Sequence, residues 1–272
     1  MSKWGTLRSI FSGCFDLVGP FSFIIPDSLF LILPEMELRL TAITLRKREV
    51  GETDRLYTFY TKELGKVQAK AIGVRKSQAK LAAALETLTL SDVTIVRGKG
   101  NGRVAGAIAE ESFQRIRSEY ATLSLALAAA AEFDSIVGLE QPDPALFSLL
   151  HEYLTLLDGV AGGGAATTLL TEAFFVKFLD ELGYRIEADT CAVSGNTLGR
   201  GSRCFFSPAA GGIVSEEHAG RESVAVGENA VKLIRLFLGN RLRSVLKLRV
   251  GAADLAEVGR IRKLFLGYVL GR

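Results

Sequence analysis

The sequence has few of the residues on which disulfide frameworks and imidazole chemistry depend. Its 272 residues include three cysteines (Cys14, Cys191 and Cys204) and two histidines (His151 and His218). Three scattered cysteines cannot build a disulfide framework, and they favour a reducing, cytoplasmic setting. Two histidines in different parts of the chain offer little material for imidazole catalysis. We therefore expect a protein that is not an enzyme.

The sequence also lacks a long uninterrupted apolar run. Its most apolar stretch lies within residues 10–33, where two aspartates and two prolines interrupt it. A membrane span needs roughly 20 consecutive apolar residues, and no cleavage site typical of a signal peptide is evident. We therefore expect no membrane attachment and interpret residues 1–35 as an apolar extension outside a fold that begins near Met36. A packed N-terminal segment and a membrane anchor are the alternatives.

Charge is unevenly distributed along the chain. Segment 37–118 has 16 Lys and Arg against nine Asp and Glu, segment 119–225 has five against 15, and segment 226–272 has ten against three. A basic, an acidic and a second basic segment are hidden by the net charge of +3. Basic segments suit polyanions because they neutralise phosphates and release counterions. A solvated charged face is the alternative.

Five short apolar or alternating segments predict strands in the front of the chain, at 38–47, 53–61, 66–74, 88–97 and 103–110. Residues 78–84 between the third and fourth strands predict a short helix. Five strands with such a helical insert match the layout of an OB-fold barrel. An SH3-like barrel or a small sandwich would give a similar pattern.

Helical periodicity replaces the strand pattern after Glu111. Apolar residues recur three or four apart, Pro144 suits the start of a helix, and Gly183 suits the end of one. Residues 184–220 form an irregular module rich in Gly and Ser, and residues 228–270 predict further helices. The fold class is therefore α+β, with a barrel at 36–112 and a helical domain at 113–272.

Several short runs in the front half resemble the RecO family of recombination mediators. They are Gly51-Glu52-Thr53-Asp54-Arg55-Leu56, Thr58-Phe59-Tyr60-Thr61, Glu63-Leu64-Gly65-Lys66, Gly73-Val74-Arg75-Lys76-Ser77 and Val96-Arg97-Gly98. Later pieces such as Leu182-Gly183-Tyr184 and Gly211-Gly212-Ile213 match more loosely. The resemblance implies an N-terminal five-stranded OB-fold barrel and a helical domain that often holds a zinc-binding element. It also implies binding of single- and double-stranded DNA, strand annealing, and RecA loading with RecR and the single-strand binding protein SSB.

The residues expected to contact DNA are the basic ones in segment 66–103. They are Lys66, Lys70, Arg75, Lys76, Lys80, Arg97, Lys99 and Arg103. On a small barrel they could follow one phosphate backbone. Tyr57, Phe59 and Tyr60 are candidates for base stacking, but they fall on both faces of one strand, so at least one must belong to the core.

The zinc pattern implied by the resemblance is incomplete in this sequence. Where zinc-bearing relatives have two Cys-x-x-Cys pairs, this chain has Cys191-Ala192-Val193-Ser194 and Ser215-Glu216-Glu217-His218. Only Cys191 and His218 stand at family ligand positions, whereas a structural zinc site uses four thiolate or imidazole ligands. Cys204 could supply a third. We expect no metal or other cofactor and a degenerate zinc-finger-like module.

Basic and apolar residues interleave near the C-terminus and suggest a site for a protein partner. The basic residues chosen for it are Lys232, Arg235, Arg241 and Arg243. An apolar groove edged with cations suits an acidic, hydrophobic peptide, and the resemblance implies the SSB C-terminal tail. An amphipathic core helix with a solvated basic face is the alternative.

The expected function is that of a non-enzymatic DNA repair and recombination mediator that works with a RecR-like protein and SSB, and indirectly with RecA. Two other classes of protein stay open. One is a protein–protein adaptor of the repair machinery with little DNA affinity, and the other is an RNA-binding OB-fold protein.

Overall fold

The computed structural model describes residues 36–74, 80–97, 102–199 and 201–271. The predicted N-terminal extension, residues 1–35, lies outside them. Within the described residues, no helix combines the length and the apolar character needed to cross a membrane.

Five strands and a short helix form the front of the fold. Their bounds are β1 (Met36–Val50), β2 (Asp54–Thr61), β3 (Gly65–Ala71), α1 (Lys80–Ala84), β4 (Leu90–Arg97) and β5 (Gly102–Glu111). The strands close into a barrel in the order β1-β2-β3-β5-β4. The five predicted strands, the helix between the third and fourth, and the OB-fold are thereby confirmed.

The long first strand closes the barrel because it pairs with two neighbours. Its first half pairs with β4 from Met36 to Ile43, and its second half pairs with β2 from Ala42 to Val50. A bulge at Leu45 shifts the register between Thr44 and Arg46. Bulges bend a strand and re-aim its side chains. As a result Leu45 is buried against the helices.

The aromatic residues of β2 are divided between two cores, as their alternation predicts. Tyr57 and Phe59 are fully buried inside the barrel and stack at 5.8 Å between ring centroids. Tyr60 points the other way and packs edge-on against Phe133, 4.8 Å away, in the core of the helical domain. All three rings are therefore core residues, and the stacking role considered for them is not available on the surface.

The helical domain predicted to follow the barrel is confirmed, and it begins after β5. Its elements are α2 (Gln114–Ser118), α3 (Tyr120–Ile136), α4 (Pro144–Gly159), α5 (Ala165–Glu181), α6 (Glu228–Gly239), α7 (Leu242–Val245) and α8 (Ala252–Val269). Asp143 caps α4 by accepting hydrogen bonds from the N–H groups of Ala145 and Leu146, and Pro144 occupies the first turn as predicted. Gly183, at φ +85°, ends α5.

A buried arginine connects three of these helices. Arg262 of α8 forms ion pairs with Glu172 of α5, at 2.8 Å, and with Glu132 of α3. Its guanidinium also lies 4.3 Å from the ring centroid of Phe175. The Arg262 guanidinium is almost fully buried, and the two carboxylates compensate its positive charge within the core.

The barrel and the helices share a continuous apolar cluster. Barrel residues of this cluster are Ile43, Leu45, Tyr60, Leu88 and Leu90, which join side chains from every long helix. Polar contacts add to this packing: the guanidinium of Arg117 on α2 donates to the carbonyl oxygens of Ser112 and Thr87. The barrel is therefore packed on the helical domain rather than tethered to it.

The irregular module and the residues directly after it form a small sheet that the sequence did not predict. Strands β6 (Cys204–Ser207), β7 (Gly212–Ser215) and β8 (Val224–Val226) pair in the order β7-β6-β8, and Glu216–His218 forms a single 3-10 turn. Phe206 on β6 is fully buried and contacts Phe265 of α8 edge-on at 5.8 Å. The module is thus fixed to the helical core by packing.

Candidate nucleic-acid interface

A row of paired residues crosses four strands on the outer face of the barrel. Arg48 of β1 pairs with Leu56 of β2, Leu56 pairs with Lys70 of β3, and Lys70 pairs with Arg103 of β5. Directly paired residues share a face of the sheet. Strands lie about 4.8 Å apart, so the row spans about 14 Å, which equals roughly four nucleotide steps of a B-form strand.

Arg48 and Arg103 are the exposed arginines at the two ends of this row. Both side chains are exposed, and neither has an ion-pair partner among the residues that the structure describes. An arginine at each end of the row can therefore bind a phosphate of a nucleic-acid backbone. Arg103 was predicted from the sequence, whereas Arg48 was not.

Lys70 lies in the middle of the row with part of its charge already compensated. Its Nζ is 2.8 Å from Oδ2 of Asp54. The other carboxylate oxygen of Asp54 accepts hydrogen bonds from the N–H of Gly73 and the hydroxyl of Thr53. The hydrogen bond from Lys70, and next that from Gly73, lower the pKa of Asp54 to about 2. Asp54 is consequently ionised at neutral pH and fixes the turn after β3.

Lys66 is held in the contact between the barrel and α3. Its Nζ lies 2.9 Å from Oδ1 of Asp134 and donates to the carbonyl oxygens of Asp134 (2.6 Å) and Val137 (3.2 Å). Only 14% of the Lys66 side chain is exposed. The donors of the Lys66 ammonium are therefore occupied inside the protein. Asp134 also meets Arg46 of β1, Nε to Oδ2, at 3.4 Å.

Of the remaining predicted DNA contacts, the side chain of Arg97 alone lies within the described part of the chain. Arg97 ends β4 and forms an ion pair with Glu140, Nη2 to Oε1, at 2.8 Å. Arg75, Lys76 and Lys99 lie outside the described residues, as does the side chain of Lys80. Arg75 and Lys76 follow the described end of the β3 segment at residue 74, and Lys99 lies between β4 and β5. In OB-folds the faces of the second and third strands and the loop between the fourth and fifth bind oligonucleotides.

Arg48 could have been found from the run Arg46-Lys47-Arg48 at the end of β1. The sequence argument placed the basic cluster in segment 66–103 and so passed over this run. Strand alternation puts Arg46 and Arg48 on one face and Lys47 on the other, and Lys47 indeed pairs with Glu86, 2.5 Å away. What the sequence could not supply was the pairing that brings Arg48 into line with Lys70 and Arg103.

The C-terminal residues predicted to bind a partner separate into two groups. Lys232 and Arg235, one turn apart on α6, line a cavity of about 370 Å³ together with Cys204 and Val231. Lys232 pairs with Glu228, and Arg235 donates to the carbonyl oxygen of Ala188 at 2.6 Å. Arg241 and Arg243 are exposed around α7. Of the interleaved apolar residues, Leu233, Phe237 and Leu242 are buried in the helical core and Leu236 is exposed.

The four positions of the zinc pattern come together in the irregular module. Sγ of Cys191 lies 3.9 Å from Oγ of Ser215 and 4.0 Å from Nδ1 of His218, and the Ser215 hydroxyl is hydrogen-bonded to that same Nδ1 at 2.9 Å. Burial raises the pKa of the Cys191 thiol, but hydrogen bonds from the side chain and N–H of Ser194 and from the N–H groups of Ser215 and Val193 bring it down to about 6.

These residues do not fit a structural zinc site. Two of the four positions are serines, and Nδ1 of His218 is occupied by a hydroxyl. A tetrahedral zinc would bring a ligating sulfur and nitrogen to about 3.6 Å from each other. Among the described residues, no group of three or more His, Cys, Asp or Glu is arranged to hold a metal ion. Hydrogen bonds among Cys191, Ser215 and His218 connect these positions.

Comparison with known families matches both parts of the chain. The family model described as "Recombination protein O N terminal" matches residues 36–113, and the one described as "Recombination protein O C terminal" matches residues 117–272. The first match covers the barrel, and the second covers the helices together with the irregular module.

Curated relatives agree with these matches. The chain is 35% identical over 235 residues to DNA repair protein RecO of Myxococcus xanthus, covering 85% of this chain and 91% of the relative. It is 31% identical over 237 residues to that of Desulfitobacterium hafniense (85% and 84% covered) and 29% identical over 235 residues to that of Dehalococcoides mccartyi (86% and 91% covered). With an OB-fold barrel, a helical domain and both family regions present, this chain belongs to the RecO family of DNA repair and recombination proteins.

Proposed function

We propose that this chain binds single- and double-stranded DNA along the outer row of the barrel and promotes annealing of complementary strands. The observation that supports this most directly is the alignment of Arg48, Lys70 and Arg103 across four strands. Annealing requires a surface that holds two strands loosely and screens their repulsion, and exposed arginines can do so without any covalent step. The chain acts in this proposal as a mediator and not as an enzyme.

In this proposal the partners are a RecR-like protein and the C-terminal tail of SSB, and their joint action loads RecA. The proposed location is the cytoplasm. Lys232 and Arg235 beside their cavity, with exposed Arg241 and Arg243, are the cations offered to an acidic tail. The irregular module serves in this proposal as a metal-free support, with its fold maintained by Phe206 and by the contacts around Cys191.

A second candidate is an adaptor with little DNA affinity. It is favoured by the ion pairs that compensate three of the predicted contacts, namely Lys66 with Asp134, Lys70 with Asp54, and Arg97 with Glu140. An adaptor would tolerate charge reversal in the row without loss of function, so the two candidates make opposite predictions for the same variants.

The test is anisotropy of a labelled single-stranded oligonucleotide titrated with the full chain across a salt series, with a strand-annealing assay beside it. The double variant Arg48→Glu/Arg103→Glu is expected to weaken binding at least tenfold and to reduce the slope of log affinity against log salt by about 1.4, since about 0.7 is lost per phosphate contact.

Lys62→Glu is the matched control for the single variants Arg48→Glu and Arg103→Glu, which make the same change in net charge, because Lys62 is exposed on the same barrel in the turn between β2 and β3. It is expected to change affinity far less than either single variant does. Equal losses for the control and the single variants would contradict a binding row at Arg48 and Arg103. Competition with RNA of the same sequence distinguishes an RNA-binding protein, which would prefer the RNA.

A further inference from the structure

The loop between α3 and α4, residues 137–143, is tightly docked on the barrel. The N–H of Glu140 donates to the carbonyl oxygen of Lys66 at 2.8 Å, and Leu139 forms a parallel bridge with Lys66. A side chain on Gly65 would lie 2.1 Å from the carbonyl oxygen of Gln141, so only glycine permits this approach. The loop therefore covers the edge of β3 that precedes its short pairing with β5.

Glu140 takes up an unfavourable backbone conformation in this loop. Its φ of +54° lies in the left-handed region that non-glycine residues rarely enter. Such strain persists where surrounding contacts fix the conformation, and it is often found at functional positions. In this conformation Oε1 of Glu140 accepts a hydrogen bond from Nη2 of Arg97 at 2.8 Å.

The Arg97–Glu140 pair is located where a barrel of this type receives nucleic acid. Arg97 is the last residue of β4, directly before the loop to β5. Both side chains are accessible, with 36% of Arg97 and 62% of Glu140 exposed. A carboxylate presents an arginine with the same kind of acceptor oxygens as a phosphate does. The helical domain thus supplies an acceptor to a cation that the barrel would otherwise offer to a phosphate.

We propose that Glu140 is an internal competitor for Arg97 that sets the affinity of the barrel for nucleic acid. This inference rests on the proposed DNA-binding function. An exposed ion pair is weak, so a phosphate placed correctly by the Arg48–Arg103 row can replace the carboxylate. The backbone contacts of Glu140 with Lys66 do not involve its side chain, so the loop stays docked when the exchange takes place.

The test compares Glu140→Gln with Glu110→Gln in the full chain. Glu110 is an exposed carboxylate on β5 with no ion-pair partner among the described residues, so the two variants make the same change in net charge. Glu140→Gln is expected to tighten binding of a single-stranded oligonucleotide about two- to fivefold, the range of an exposed ion pair. The slope of log affinity against log salt is expected to change little, because Arg97 contacts one phosphate in both complexes and only the competing carboxylate is removed. Glu110→Gln is expected to change the affinity much less.

Dependence on Arg97 completes the experiment. In an Arg97→Gln background, Glu140→Gln is expected to do no more than Glu110→Gln does, because the contested cation is gone. A Glu140→Gln effect equal to that of Glu110→Gln, or one that persists without Arg97, overturns this inference while leaving DNA binding intact. If neither the wild-type chain nor Glu140→Gln binds any oligonucleotide at low salt, the proposed function fails and this inference fails with it.

Discussion

Lys66 and Arg103 are both basic residues of the predicted DNA-binding segment, yet their surroundings predict opposite consequences of losing them. In Lys66→Met the alkyl chain remains and the ammonium is lost. Among the described residues, Asp134, whose side chain is 8% exposed, then keeps one ion-pair contact, at 3.4 Å with Arg46, and two carbonyl oxygens lose their donor. Breaking a buried ion pair costs about 3–5 kcal/mol. Since Arg46 compensates in part, we expect a loss of about 2–4 kcal/mol in the free energy of unfolding.

The assay is thermal unfolding of the full chain, in which this loss corresponds to a fall of about 5–15 °C in Tm. Oligonucleotide affinity per folded molecule is expected to stay within about twofold of the wild type. Arg103→Gln should behave in the opposite way, with a stability change below about 0.5 kcal/mol and weaker binding. A Lys66→Met variant with unchanged Tm and a reduced salt slope would refute the structural role assigned to Lys66.

Three further outcomes are expected. Arg262→Ala should lower the free energy of unfolding by about 3–5 kcal/mol because it leaves two carboxylates without their buried partner. Arg260→Ala, on the exposed side of the same helix, should lower it by under about 1 kcal/mol. Equal Tm values for the two variants would contradict this expectation. Purified protein should contain far less than one zinc per chain by elemental analysis, and EDTA should not change its Tm, so stoichiometric zinc would contradict a metal-free module. The pKa of Asp54 is lowered in the folded state. Its ionised form therefore stabilises the fold above the ordinary carboxyl pKa of about 3.9, and this contribution is lost as the pH falls towards 2. Asp54→Asn should be less stable than the wild type at pH 7, and the difference in stability should shrink between pH 4 and 2.

Much of the fold was predictable because it depends on local patterns. Alternation in β2 correctly separated Tyr57 from Tyr60, and the punctuating Pro144 and Gly183 were correctly placed at helix ends. The small sheet of the irregular module was not predicted, since its strands are three or four residues long and their order β7-β6-β8 is set by tertiary packing. Short strands of this kind carry too little periodicity to be recognised.

The candidate site was less predictable than the fold. Counting charges treated Lys66, Lys70 and Arg103 as equivalent, but the fold gives the first a buried partner, the second a partly exposed partner and the third none among the described residues. These differences come from Asp134 and Asp54, which lie 68 and 16 residues away from the lysines they meet. Sequence proximity cannot reveal such pairs, because one forms only when α3 packs on the barrel and the other only when β2 pairs with β3.

The shared apolar cluster has a consequence for how the chain is made and studied. The barrel strands are synthesised before the helices. The apolar side chains of Ile43, Leu45 and Tyr60 therefore stay exposed until Phe133 and the phenylalanines of α5 have been made and can pack on them. Until then the newly made barrel presents an apolar face that invites aggregation or a chaperone. For the same reason a fragment ending after β5 would carry this face permanently, and experiments that divide the protein at the end of the barrel would measure a damaged surface in place of an isolated function.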